Sequence, residues 1–156
     1  MTRPIGDMNF DLVKKCIEDI RLFPETLKEI CVSNYGETPL YKDWIKVLEM
    51  VALRLPRTGI VFPTNGTLLG DGCAELLCSI PTVRLVNFSV NTIRERYEIF
   101  HKLPSKSYDI IEQAAQTIKR LRPDITIWIS LVRDSQYQSP KEVELFQQFW
   151  SRYGTV

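Results

Sequence analysis

Histidine is nearly absent from these 156 residues, with His101 alone, and the four cysteines, Cys16, Cys31, Cys73 and Cys78, form no C-x-x-C pair and lie far from it in sequence. That scatter excludes the zinc patterns in which thiols and imidazoles recur at short intervals. No apolar run approaches the roughly 20 residues that a helix needs to cross a bilayer. The polar start Met1-Thr2-Arg3-Pro4 reads as neither signal nor transit peptide, so a cytoplasmic chain without a membrane partner is expected. Charge of one sign is lacking too. The formal net charge is +1 and the charges are scattered, which leaves no basic face for nucleic acid and no acidic solvating tail. A P-loop and a nucleophile–base pair are also missing. What is present is the balance of an ordinary folded chain, 44% hydrophobic and 25% charged, long enough for one core and one domain.

Four short apolar runs alternate with longer stretches of helical period. The runs Leu27–Ser33, Gly59–Pro63, Val83–Val90 and Ile125–Val132 read as strands. Helices are expected over Asn9–Leu22, Tyr41–Leu55, Asp71–Ser79, Thr92–Phe100, Ser107–Leu121 and Pro140–Tyr153. The punctuation agrees with the period. In Ser139-Pro140-Lys141-Glu142 the serine caps, the proline fits the first turn and Glu142 reaches back to the cap amide. Gly154 is expected to stop that helix, and Asp71 to cap the one before Ala74, Leu76 and Leu77. Pro56, Pro81 and Pro123 each forbid continuation of a preceding helix.

Strands joined by helical crossovers must run parallel, so the fold class is α/β and ligands belong at the strands' carboxyl ends. Those ends are polar: Ser33-Asn34-Tyr35-Gly36-Glu37-Thr38-Pro39, Thr64-Asn65-Gly66-Thr67, Asn87-Phe88-Ser89-Val90-Asn91 and Val132-Arg133-Asp134-Ser135-Gln136. Small hydroxyls, amides and a carboxylate suit a zwitterionic or ribose-bearing ligand, with Glu37 accepting from an ammonium and Gly36 letting backbone approach closely. Away from this edge the residues read as structural. All four cysteines are expected to be reduced, with Cys16 and Cys31 acting as small hydrophobes in apolar rows and Cys73 and Cys78 on different flanks of one helix. Trp44, Trp128 and Trp150 are expected in the core, and the Arg94–Arg96 and Lys119–Arg122 clusters on solvated helix surface.

Four segments, in order, give the chain a resemblance to the radical S-adenosylmethionine (radical SAM) enzymes. Leu27-Lys28-Glu29-Ile30-Cys31-Val32-Ser33-Asn34-Tyr35-Gly36-Glu37 resembles their second strand, whose Gly-Glu pair meets the methionyl amino group of S-adenosylmethionine. Thr64-Asn65-Gly66-Thr67 is similar to the turn after their third strand. Val86-Asn87-Phe88-Ser89-Val90 resembles the fourth, whose serine contacts the cosubstrate, and Tyr97-Glu98-Ile99-Phe100-His101-Lys102 resembles the run that follows it. The likeness covers nearly the whole chain, residues 1–156, as a single incomplete core domain.

It implies a partial (β/α) barrel of TIM-like type, about four parallel strands with flanking helices, corresponding to strands two to five of six. The implied cofactor-binding residues are Gly36, Glu37, Asn65, Ser89, His101, Lys102 and Arg133. The implied cofactors are S-adenosylmethionine and a [4Fe-4S] cluster on a C-x-x-x-C-x-x-C loop, which together yield a 5'-deoxyadenosyl radical. The chain departs from the pattern in three places. The cluster loop would lie before Met1 and the sixth strand would begin at Thr155-Val156, so this polypeptide alone is expected to be inactive. Thr38 replaces the proline that usually follows Gly-Glu. Lys102 or His101 stands where arginine grips the carboxylate, a single-point donor in place of a fork. Exposed sheet edges are expected to favour self-association, with Ile30, Val32, Phe62 and Phe88 lining an open trough. The alternative is a self-sufficient small α/β module, doubly wound, that binds a nucleotide or a protein without catalysis.

Overall fold

The capping signal at Ser139 forms as its residues dictate: Ser139 Oγ accepts from the Glu142 amide at 3.3 Å while a Glu142 carboxylate oxygen accepts from the Ser139 amide at 2.7 Å. From there helix α6 runs Pro140–Trp150 and buries Phe146 and Trp150. The computed structural model describes residues 6–23, 27–33, 36–132 and 138–156. The other elements are α1 (Phe10–Ile20), β1 (Glu29–Cys31), α2 (Trp44–Arg54), β2 (Gly59–Thr64), α3 (Cys73–Ser79), β3 (Val83–Ser89), α4 (Tyr97–His101), α5 (Lys106–Leu121) and β4 (Thr126–Ser130), with 3-10 turns at Thr38–Leu40 and Arg94–Arg96.

The four strands form one parallel sheet in the order β1-β2-β3-β4, which is the expected α/β arrangement. Strand β1 is shorter than its apolar run, because only three residues pair with β2. The expected helix from Thr92 begins later, as a 3-10 turn passing into α4. Asp71 does not cap α3. Its φ is +48°, and Gly72 takes the cap position at φ +85°, since the chain must reverse sharply after Gly70. Gly154 also differs from expectation: α6 ends at Trp150, and Gly154 leads Thr155 into a parallel bridge beside β4 at Trp128.

Register fixes which face each strand residue occupies. Ile60, Phe62 and Thr64 share one face with Val86, Phe88, Ile127 and Ile129, and all are buried. Helical side chains cover that face: Trp44 of α2 sits 5.7 Å from Phe62, centroid to centroid, and Leu48, Leu77, Ala115, Ile118 and Phe146 join the same core. Each large apolar side chain so buried contributes on the order of 2 kcal/mol. Val83 and Val86 both reach this core although they are three apart, because Arg84 is an extra residue between the Ile60 and Val61 pairings. The opposite face is more open, with Cys31, Thr126 and Trp128 exposed and Val61, Pro63, Asn87, Ser89 and Ser130 half-buried. The expected trough lining is therefore corrected: Phe62 and Phe88 are fully buried under helices, and Ile30 and Val32 pack against the same core.

Two further readings change. Cys16 and Cys31 are exposed, because Cys16 lies beside Ile17, which alone of α1 is fully buried, and Cys31 points to the open face of β1. Trp128 is exposed while Trp44 and Trp150 are core. The basic clusters lie at the surface as expected, with Lys119 and Arg120 exposed, and are also tied down: Arg94 bonds Asp109 and Glu112, Arg96 bonds Glu142, and Arg122 bonds Asp124 and the carbonyls of Cys78 and Ile80. Among the described residues no helix is long and apolar enough to cross a membrane.

Candidate functional site

A parallel sheet delivers every strand's last residue to the same edge, and the polar ends meet there. Glu37 comes from the loop after β1, with its carboxylate at the end of β2: one oxygen accepts from Thr64 Oγ1 and the other from the Asn65 amide at 2.7 Å. Thr64 is itself buried, and its hydroxyl accepts from the Gly66 amide at 2.9 Å. Asn65 closes the turn from the other side, its Oδ1 accepting from the Thr67 amide at 2.9 Å and the Thr67 hydroxyl at 2.7 Å. Glycine is required at position 66, where φ is +77° and a Cβ would lie 2.8 Å from the Phe88 ring. Gly36, at φ +147°, is exposed in open space before Glu37.

On β3, Ser89 stands at the same edge, paired in register with Ser130 of β4. One pleat earlier, Asn87 Oδ1 accepts from Ser130 Oγ at 2.6 Å. Glu37, Asn65 and Ser89 are thus brought to one edge, while Arg133 lies outside the described residues. His101 is set back from them: its Nε2 meets the Val90 carbonyl at 2.7 Å, donating as N–H, and its ring packs 4.6 Å from Tyr97. Lys102 follows at φ +54°, exposed at the C-terminus of α4. The hydrogen bond to Val90 turns His101 toward the backbone, while Lys102 is exposed.

Sequence reasoning placed Asn91 in the polar end of β3 but gave it no role of its own. It takes a left-handed conformation, φ +63°, in which its amide donates to Ser130 O at 3.1 Å, its Oδ1 accepts from the Val132 amide at 2.9 Å, and its carbonyl accepts from Gln138 Nε2 at 2.6 Å. One residue therefore joins the end of β3 to both flanks of the β4–α6 connection. The available signal was an asparagine just past an apolar run, a residue type that tolerates left-handed backbone.

The cysteines do not gather here. Among the described residues no three His, Cys, Asp or Glu side chains are placed to hold a metal ion. Cys31 Sγ donates to the Ser33 carbonyl at 2.8 Å, and burial pushes the Cys78 thiol upward, away from the thiolate that a metal needs. The residues of this stretch do not fit an iron–sulfur cluster, and no cluster-dependent step is assigned to them.

No known protein family profile matches the chain. It is 28% identical over 142 residues to a Pyrococcus furiosus protein named tungsten-containing aldehyde ferredoxin oxidoreductase cofactor-modifying protein, a match covering 87% of this chain and 39% of that protein. The chain thus spans well under half the length of the curated relative it matches.

Proposed function

We propose that this chain is the middle stretch of a radical S-adenosylmethionine enzyme barrel, and that its carboxyl edge holds the methionyl end of that cosubstrate. The observation that carries the reading is the Glu37 carboxylate, held across the end of β2 by Thr64 and the Asn65 amide. An ionised carboxylate has about four lone-pair sites, and these bonds take two. The rest are left for an ammonium, and prior fixing of the side chain lowers the ordering cost of the encounter.

Strand order supports the same reading. A sequential parallel sheet with crossovers of one hand lays its helices on one face, as in a barrel, whereas the doubly wound module needs helices on both faces and a switch point in the order. The relative's name is that of a protein that modifies another enzyme's cofactor. We take that likeness as support for enzyme parentage, with the chemistry belonging to a longer protein whose cluster ligands lie in no residue described here.

Calorimetric titration with S-adenosylmethionine and with 5'-methylthioadenosine, which lacks the amino acid, tests the role of Glu37. S-adenosylmethionine should bind about tenfold more tightly, and Glu37→Gln should remove that margin while leaving methylthioadenosine unchanged. Equal binding of the two by the unaltered chain, or no effect of Glu37→Gln, would remove the proposal.

A further inference from the structure

Glu95 and Arg152 carry opposite charges on different elements and line the same cavity, of about 310 Å³, between the Arg94–Arg96 turn, the start of α5 and the second half of α6. Tyr108, Leu145 and Phe149 give that cavity apolar walls, and the two rings stand 5.9 Å apart, centroid to centroid. Its volume lies at the lower end of the range for small-molecule sites, about 300–1,000 Å³. None of its lining residues belongs to the carboxyl edge of the sheet.

The charges around this cavity are unequally committed. Arg94 lines it too, but its guanidinium is spent on Asp109 and Glu112. Arg152 lies 4.3 Å over the Phe149 ring, and its Nε donates to the Phe149 carbonyl at 2.7 Å, which fixes the fork; no carboxylate pairs with it among the described residues. Glu95 accepts no hydrogen bond and forms no ion pair among the described residues. Burial, and after it the Glu112 and Glu95 carboxylates, push the Tyr108 phenol up, which puts the Glu95 charge near the Tyr108 wall. A lone exposed arginine is ordinary solvated surface. Two unpaired charges of opposite sign on one aromatic-walled cavity are complementary to a ligand that carries both signs. An anion alone would meet Glu95, and a cation alone would meet Arg152.

We infer that this cavity binds a small zwitterion with an apolar body, an amino acid or a dipeptide, with its carboxylate on Arg152, its ammonium on Glu95 and its side chain against Tyr108, Leu145 and Phe149. The inference goes beyond the proposed function and does not rest on it. The two sources share this chemistry and differ in charge spacing, since an amino acid carries both charges on one carbon and a dipeptide carries them on either side of a peptide bond.

L-phenylalanine and glycyl-L-phenylalanine are the probes, titrated into the nitrogen-15-labelled chain and followed by amide NMR shifts. Saturable shifts are expected at Glu95, Gln148 and Arg152, with a Kd on the order of 1 mM, and the tighter probe assigns the charge spacing. Amidating the carboxylate or acetylating the amine of that probe should each weaken binding about fivefold. Arg152→Gln should abolish the preference for the free carboxylate over the amide while leaving the amide's affinity unchanged. Glu95→Gln should do the same for the free amine over the acetylated form. Both side chains are exposed, so the urea midpoints of these variants should match that of the unaltered chain. Glu37→Gln should leave phenylalanine binding intact, and saturation at this cavity without any S-adenosylmethionine binding would sustain the inference while sinking the wider proposal. Absence of saturation by either probe, affinity indifferent to the blocked termini or to both variants, or loss of phenylalanine binding in Glu37→Gln would overturn it.

Discussion

Gly154 lies against the Ile127 backbone so closely that a Cβ there would fall on the Ile127 carbonyl oxygen and 2.8 Å from Ile127 Cβ. The contact lets Thr155 donate to Ile127 O at 2.9 Å and accept from the Ile129 amide at 2.8 Å. Gly154→Ala should therefore cost about 3 kcal/mol in urea unfolding. It should also speed deuterium exchange at the Ile129 amide; unchanged protection there would contradict the close approach.

Asn91 should matter by two separable routes, its backbone and its side chain. Asn91→Gly keeps the left-handed turn and loses only the acceptor for the Val132 amide, about 1 kcal/mol. Asn91→Ala adds the steric cost of φ +63°, about 1 kcal/mol more. Equal destabilisation by the two substitutions in denaturant titration would remove the backbone half of the account.

The Arg96 guanidinium, then the Ser139 amide and hydroxyl, hold the Glu142 carboxyl down at about 2. A carboxylate whose folded value lies below its unfolded one, near 4.5, stabilises the fold above the unfolded value and loses that contribution as pH falls toward the folded one. The unfolded chain then binds more protons. Glu142→Gln should accordingly lower the urea midpoint at pH 7, and the gap to the unaltered chain should shrink between about pH 5 and pH 2. A gap that stays constant with pH would contradict the sign.

Arg122 closes the end of α3 from a distance in sequence, donating to Cys78 O at 3.1 Å and Ile80 O at 3.2 Å while forking onto Asp124 with both contacts at 2.8 Å. After allowance for solvent screening, Arg122→Ala should cost about 1 kcal/mol. Arg122→Lys should not restore it, since an ammonium has no planar fork to span carbonyls and carboxylate together. Full rescue by lysine in thermal unfolding would show that charge alone mattered.

The sheet was legible because each strand is an apolar run bounded by breakers, and because parallel order follows from helical crossovers. The carboxyl edge followed from that topology, which is why Glu37, Asn65 and Ser89 were found together. The exposure of Trp128 was also written in the sequence and was missed: Ile125, Ile127 and Ile129 alternate with Thr126, Trp128 and Ser130, so the indole belongs to the polar row. Hydrophobicity of a single side chain was allowed to outweigh period. The burial of Phe62 and Phe88 was half legible, since Phe88 alternates with Asn87 and Ser89, but that the apolar row lies under helices and not in an open trough depends on helix placement, which no strand pattern contains. The Glu37–Asn65 tie and the Asn91 junction join residues 28 to 47 positions apart, beyond any local pattern.

Arg84, the unmatched residue between the Val83 and Leu85 pairings, bears on which length changes β3 tolerates. Removing it would make the ladder regular while leaving Leu85, Val86, Asn87, Phe88 and Ser89 on the faces they now occupy. Removing any single residue between 85 and 88 would instead rotate the remainder of the strand by half a turn and exchange Asn87 or Ser89 with a core side chain. Position 84 is thus where this strand absorbs a one-codon deletion, and the stretch after it is where the same deletion erases the open face.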